Sequence, residues 1–195
     1  MEEQVYLIKT VEQGQKLWEQ LKEEEWESVI VCFHEDLLNL DVKNRLLPML
    51  HKYQIEDAQV HWVEPETAFI SGSSSFGGGI SLNYYVKIEQ LMFEYGMHAL
   101  CLSYVEEAEK TGGLTGFLGG IIQNASGQSY LQMLVKNKPG LKVDGGRIVI
   151  DLDQWESFRK IAVWNHYGKT IGRDLDIEYK GMLNRCICLR FSWRA

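Results

Sequence analysis

The clearest apolar–polar pattern in the chain runs from Ile80 to Glu89. Ile80, Leu82, Tyr84, Val86 and Ile88 alternate with Ser81, Asn83, Tyr85, Lys87 and Glu89. A period of two sends successive side chains to opposite faces, so this stretch predicts a strand with one buried and one wet face, as in an antiparallel sheet. Ala58, Val60 and Trp62 alternate in the same way, and Ala68, Phe69 and Ile70 lead into Gly72. Residues 71–79, serine- and glycine-rich, predict a turn or glycine bulge. Tyr95-Gly96 marks a turn, and 97–105 predicts the return strand of a meander. Val5 to Ile8 and the β-branched run from Ser28 to Phe33 read as further strands, as do Ile148, Ile150 and Leu152. Near the end, Leu175, Ile177 and Tyr179 predict a strand and Gly181 a turn. Leu183, Arg185, Ile187, Leu189, Phe191 and Trp193 then share one face of a last strand.

Elsewhere the period is helical. Val11, Leu17, Trp18 and Leu21 sit among glutamates and glutamines. A leucine stripe runs from Leu37 to Tyr53, with Asp36 or Asp41 available as a start cap and Pro48 expected to kink or divide the helix. Leu114, Phe117, Leu118, Ile121, Ile122 and Ala125 hold one helical face, opposite Gly113, Gly116, Gly119 and Gly120. Each helical glycine costs ~1 kcal/mol against alanine, so that helix needs support from its surroundings or lets something approach closely. Tyr130, Leu131, Leu134 and Val135 continue as a second helical piece, and Trp155, Phe158, Arg159 and Ala162 fit a short helix. The fold class expected is α+β: a long, curved antiparallel sheet wrapped around a helix, with an additional N-terminal helix. No stretch reads as a linker, so residues 1–195 form a single domain, with 1–30 as an N-terminal strand and helix extension.

Composition narrows the classes. The chain has 195 residues, 45% hydrophobic and 24% charged, which supports a packed core and excludes a disordered chain. A net charge of -7 argues against a nucleic-acid footprint, which needs clustered Lys and Arg. The N-terminus lacks a basic-then-apolar signal, and no apolar run approaches the ~20 residues of a membrane span. A cytoplasmic protein with no transmembrane segment is therefore expected, its four cysteines (Cys32, Cys101, Cys186 and Cys188) free thiols. Charge is uneven: five glutamates face Lys22 alone over 19–27, while 180–195 carries Lys180, Arg185, Arg190 and Arg194 and no acid.

No catalytic set is legible. Gly168-Lys169-Thr170 resembles the end of a phosphate loop, but Val163 stands where that loop needs its first glycine. Cys32-Phe33-His34 and Cys186-Ile187-Cys188 could meet across strands as zinc ligands, or Cys32 could act with His34 as a nucleophile; buried structural cysteines are the simpler reading. Asp151 with Asp153, and Asp174 with Asp176, each place two carboxylates on one strand face, where solvation is the simpler reading again. The chain is expected not to be an enzyme and to carry no cofactor or metal.

Three segments carry a family resemblance. They are the opening Glu35-Asp36-Leu37-Leu38-Asn39, the paired long strands from Ile55 to Val105 with their glycine cluster, and the run from Lys138-Pro139-Gly140 through Gly145-Gly146 to Ile148-Val149-Ile150-Asp151-Leu152. Over 33–193 the chain resembles the tubular lipid-binding (TULIP-like) superfamily, in the compact single-module form of bacterial domains of unknown function. The resemblance implies a curved sheet around a helix and an apolar groove for lipid. One wall would be Ile80, Leu82, Tyr84, Val86 and Ile88, the other Phe117, Leu118, Ile121 and Ile122. The function expected is non-enzymatic binding of a lipid-like or other hydrophobic ligand in that groove. The alternative is a protein-interaction or accessory module with a closed core, meeting a protein partner or forming a homo-oligomer.

Overall fold

The computed structural model describes residues 3–63, 65–75, 79–110, 130–135 and 138–194. It is an α+β fold dominated by antiparallel sheet. Strand β1 (Gln4–Ile8), helix α1 (Val11–Glu23) and strand β2 (Ser28–His34) come first. Thr10 caps α1: its hydroxyl accepts from the Gln13 amide, and the Gln13 side chain accepts from the Thr10 amide, so two N-terminal N–H groups are satisfied reciprocally. The helical stripe after β2 divides into a π-helical turn over Leu37–Val42 and helix α2 (Lys43–Leu50). Pro48 lies near the end of α2. Asp36 makes no capping bond there, and the Asp41 carboxylate instead accepts from the Val11 amide, 2.7 Å away, at the start of α1.

Next come β3 (Ile55–Val63), β4 (Thr67–Ser74), β5 (Ile80–Glu94), β6 (Met97–Lys110), α3 (Tyr130–Val135), β7 (Leu141–Asp144) and β8 (Arg147–Asp151). Six of these are strands of one antiparallel sheet, in the order β3-β4-β5-β6-β8-β7. The meander read from the alternation of 55–105 is its backbone. The helix expected over 114–125 lies outside the described residues. Helix α4 (Glu156–Ala162) leads to a small hairpin of β9 (Asn165–His166) and β10 (Lys169–Thr170), then to α5 (Ile171–Asp174), β11 (Leu175–Leu183) and β12 (Cys186–Trp193). The single last face expected over 183–193 is broken by a tight turn at Asn184 and Arg185, both at positive φ, so Leu183 and Ile187 belong to different strands.

The second sheet has the order β1-β2-β12-β11. β1 and β2 are parallel, which α1 permits by crossing between them; the other pairs are antiparallel. One face of this sheet meets α1 through Ile8, Leu17, Leu21, Val29 and Val31. The same sheet meets the six-stranded one where Met182 packs on Ala68 and Val86.

Cys32 and Cys188 stand directly opposite each other on β2 and β12 and form a disulfide. This corrects the expectation of four free thiols. The two Cys-containing segments do meet across strands, but register places cysteine against cysteine. Cys101 and Cys186 are free, and burial pushes the Cys186 thiol up from its ordinary value.

The opening Glu35–Asn39 segment has a structural role that its sequence did not reveal. β3 is an edge strand, whose free amides and carbonyls invite pairing with another chain. Asn39 closes that edge like a short strand: its side-chain nitrogen donates to the Val60 carbonyl and its oxygen accepts from the Val60 amide, both at 2.7 Å. Two residues along, the Trp62 amide donates to the Glu35 carboxylate. Glu35 is 2% exposed and also receives Arg185 from the β11–β12 turn. One carboxylate thus ties β2, β3 and that turn together.

Burial alone would raise the Glu35 pKa, but the Arg185 guanidinium and the Trp62 amide outweigh it and hold the carboxyl below its ordinary 4.5. The folded-state value therefore lies below that of the unfolded chain, so Glu35 stabilises the fold above about pH 4.5 and loses that contribution as pH falls through the folded value. Glu35→Gln is expected to cost about 2–3 kcal/mol at neutral pH and to flatten the acid limb of the stability profile, followed by urea unfolding across pH. Peptide mapping without reductant is expected to recover Cys32 linked to Cys188. Reduction should lower stability by about 2–5 kcal/mol, because the bond closes a loop spanning most of the chain.

Candidate functional site

The apolar face of the four-stranded sheet is only partly covered. Between it, α1 and the α4–α5 region lies a cavity of about 380 Å³. α1 contributes Leu17, Trp18 and Leu21, and β2 contributes Val31 and Phe33. The far side is built from Phe93, Phe158 and Trp164. Phe191 and Trp193 of β12 and Trp26 complete an aromatic-rich wall that is carbon almost throughout. Ile161, half exposed, and the partly exposed Trp18 stand where the cavity meets the surface.

Local sequence explains how these side chains converge. α1 turns Leu17 and Leu21 inward because they are four residues apart, on one helical face. Alternation along β2 sends Val31 and Phe33 inward and Cys32 to the opposite face. Gly14 also lines the cavity; a Cβ there would meet only Ile8 Cγ2, at 3.7 Å. A glycine in mid-helix with room for a methyl keeps space open at a cost in helix stability.

The groove residues read from sequence lie elsewhere. Tyr84, Val86 and Ile88 close on Ala68 and Met182 in the core between the sheets, and Leu82 is buried on the same strand. The backbone of Ile80 begins β5, but its side chain is outside the described residues, as are Phe117, Leu118, Ile121 and Ile122. Among the described side chains of β5, Phe93 lines the cavity. It faces inward because the β5–β6 register shifts between Ile88 and Gln90, moving the buried set from even to odd positions. A strict period of two, followed from Ile80, stops at that bulge. The signal that could have found the site was tryptophan: Trp18, Trp26, Trp164 and Trp193, four of the six in the chain, line the cavity.

The polar residues singled out in the sequence have structural partners. Asp153 accepts from the His98 amide and lies 2.7 Å from His98 Nδ1, while His98 Nε2 faces the Gly172 carbonyl at 2.9 Å. Both ring nitrogens therefore face acceptors, fixing β6 to α5 beside Phe93 and Phe158. The Arg173 guanidinium and the Thr170 amide lower the Asp174 carboxyl to about 2. His34 Nδ1 is within 3.2 Å of Asp36, and Cys32 is held in the disulfide. Gly168-Lys169-Thr170 forms part of the β9–β10 hairpin, where Lys169 donates to the Arg194 carbonyl. The C-terminal arginines are likewise engaged: Arg185 with Glu35, Arg190 with Glu3 and Arg194 with the Phe93 and Arg173 carbonyls. Among the described residues no three His, Cys, Asp or Glu converge as metal ligands, and no helix is long and apolar enough to cross a membrane. No protein-family model, no curated protein and no solved structure matches the chain.

Proposed function

We propose that this protein binds a compact hydrophobic molecule in the cavity between α1, the four-stranded sheet and α4. The cavity itself carries this reading. An apolar space of about 380 Å³ that opens to the surface leaves its wall without packing partners, at a cost in lost burial and dispersion contact. An occupant that restores the missing dispersion contacts removes that cost. The lipid-like ligand implied by the tubular lipid-binding resemblance suits such a wall, although the site lies away from the groove expected beside β5.

Size limits the ligand. A dry engineered cavity of ~150 Å³ takes benzene, so this one suits a molecule two to three times larger. A fused-ring compound or one medium-length hydrocarbon chain fits; a two-chain lipid does not. With almost no polar atom in the wall, any polar group of the ligand stays at the mouth near Ile161.

A second reading, as a protein-interaction module, rests on β1. It is the parallel edge of the four-stranded sheet, with Val5 64% and Leu7 51% exposed. An unpaired apolar edge of this kind recruits another strand.

Native mass spectrometry with organic extraction tests the main reading: co-purified hydrophobic ligand is expected, and a panel of fused-ring fluorophores and medium-chain fatty acids should bind saturably. Gly14→Leu should fill the cavity and weaken that binding at least about tenfold without loss of melting temperature. Unchanged binding in Gly14→Leu would place the ligand elsewhere. Gly14→Ala is expected to raise stability by about 0.5–1 kcal/mol in thermal melts, since it relieves the helical glycine without a clash.

A further inference from the structure

Trp26 and Trp193 line the apolar cavity and also a separate polar cleft of about 580 Å³. Their rings touch, with centroids 4.9 Å apart. His166 stacks on Trp193 at 5.4 Å and Tyr167 meets His166 edge-on at 4.6 Å, so one side of the cleft is a continuous aromatic wall. Glu25 and Glu27, on either side of Trp26, also line the cleft; both are exposed and, among the described residues, without an ion-pair partner. The Glu27 carbonyl accepts from the Trp193 amide at 3.0 Å, which holds this segment against the wall.

The charge balance favours a cation. Two basic residues also line the cleft, but Lys169 donates to the Arg194 carbonyl, and Arg190 is bound to Glu3 with Glu178 beyond it. His166 is 5% exposed, and its Nε2 is buried without a hydrogen-bond partner among the described residues. Burial pushes its imidazole below the ordinary value, with the Glu24 carbonyl and the Glu25 carboxylate countering only in part, so the ring is neutral at pH 7. The wall itself is aromatic, and although Lys169 keeps its charge beside a neutral carbonyl, the acids Glu3, Glu24, Glu25 and Glu27 of this cleft and the adjoining one outnumber Lys169 and Arg190. A second cleft continues past Glu3 and Glu24 and shares Glu25, Trp26 and Glu27, which extends the negative field.

We propose that the Trp26–Trp193–Tyr167 wall with Glu25 and Glu27 is a binding site for an organic cation of the quaternary-ammonium class. A bare metal ion would need converging ligands, and no such group exists among the described residues. A weakly hydrated cation instead gains from the negative faces of indole and phenol rings while the carboxylates balance its charge from the rim. The site is independent of the hydrophobic cavity, although the two share a wall.

The test uses choline and its uncharged carbon isostere, in which a tert-butyl group replaces the trimethylammonium. Binding is followed by the indole N–H cross-peaks of Trp26 and Trp193 at constant ionic strength, with sodium chloride as control. Choline is expected to shift both peaks saturably and to bind at least about tenfold more tightly than the isostere. Glu25→Gln with Glu27→Gln should weaken choline about tenfold and leave the melting temperature unchanged, since both side chains are exposed. Gly14→Leu should leave choline binding intact, which separates this site from the cavity. Equal binding of the isostere, no saturable shift up to tens of millimolar choline, or an unaffected double variant would each overturn the proposal.

Discussion

The pairing of β2 with β12 is the constraint on which the rest of the structure depends. It joins segments 156 residues apart, with cysteine against cysteine and Phe33 against Ile187. Because strand side chains alternate, that one register decides both faces at once. Val31, Phe33, Phe191 and Trp193 are sent toward α1 as a cavity wall, and the disulfide is sent to the other face. A slip of one residue would exchange the two sets.

The ends of that strand pair are held by charge. Glu35 follows β2 and meets Arg185 in the turn before β12, while also accepting from β3. Arg190 further along β12 meets Glu3 just before β1. The basic residues over 180–195 are thereby engaged within the chain: Arg185 by Glu35, Arg190 by Glu3, Lys180 by Glu178 and Arg194 by the Phe93 and Arg173 carbonyls. Buried or half-buried pairs of this kind fix geometry more reliably than they add stability, because desolvation offsets much of the attraction.

Two sites share the aromatic cluster around Trp26 and Trp193. On one side the indoles face an apolar space, on the other a polar cleft rimmed by glutamates. Tryptophan suits such a boundary because it couples a large apolar body to a single N–H donor. Trp26 uses that donor on the Leu21 carbonyl, which ties the end of α1 to the start of β2.

Local periodicity by itself determined the meander, the strand–helix–strand start and the α+β class, because alternation and helical spacing are properties of neighbouring residues. Composition fixed a packed chain with an acidic balance. Tertiary structure alone decided the rest. The register bulge after Ile88 turned Phe93 toward the cavity, and no run of apolar residues announces a bulge. The turn at Asn184-Arg185 split one apparent strand in two. Cys32 met Cys188, and Asn39 met Val60, only because distant strands came together in one register. Beyond its tryptophans, the cavity was not legible in the sequence: its walls come from α1, β2, β5, α4 and β12, each an ordinary amphipathic element, and the space between them exists only where those faces stop short of one another.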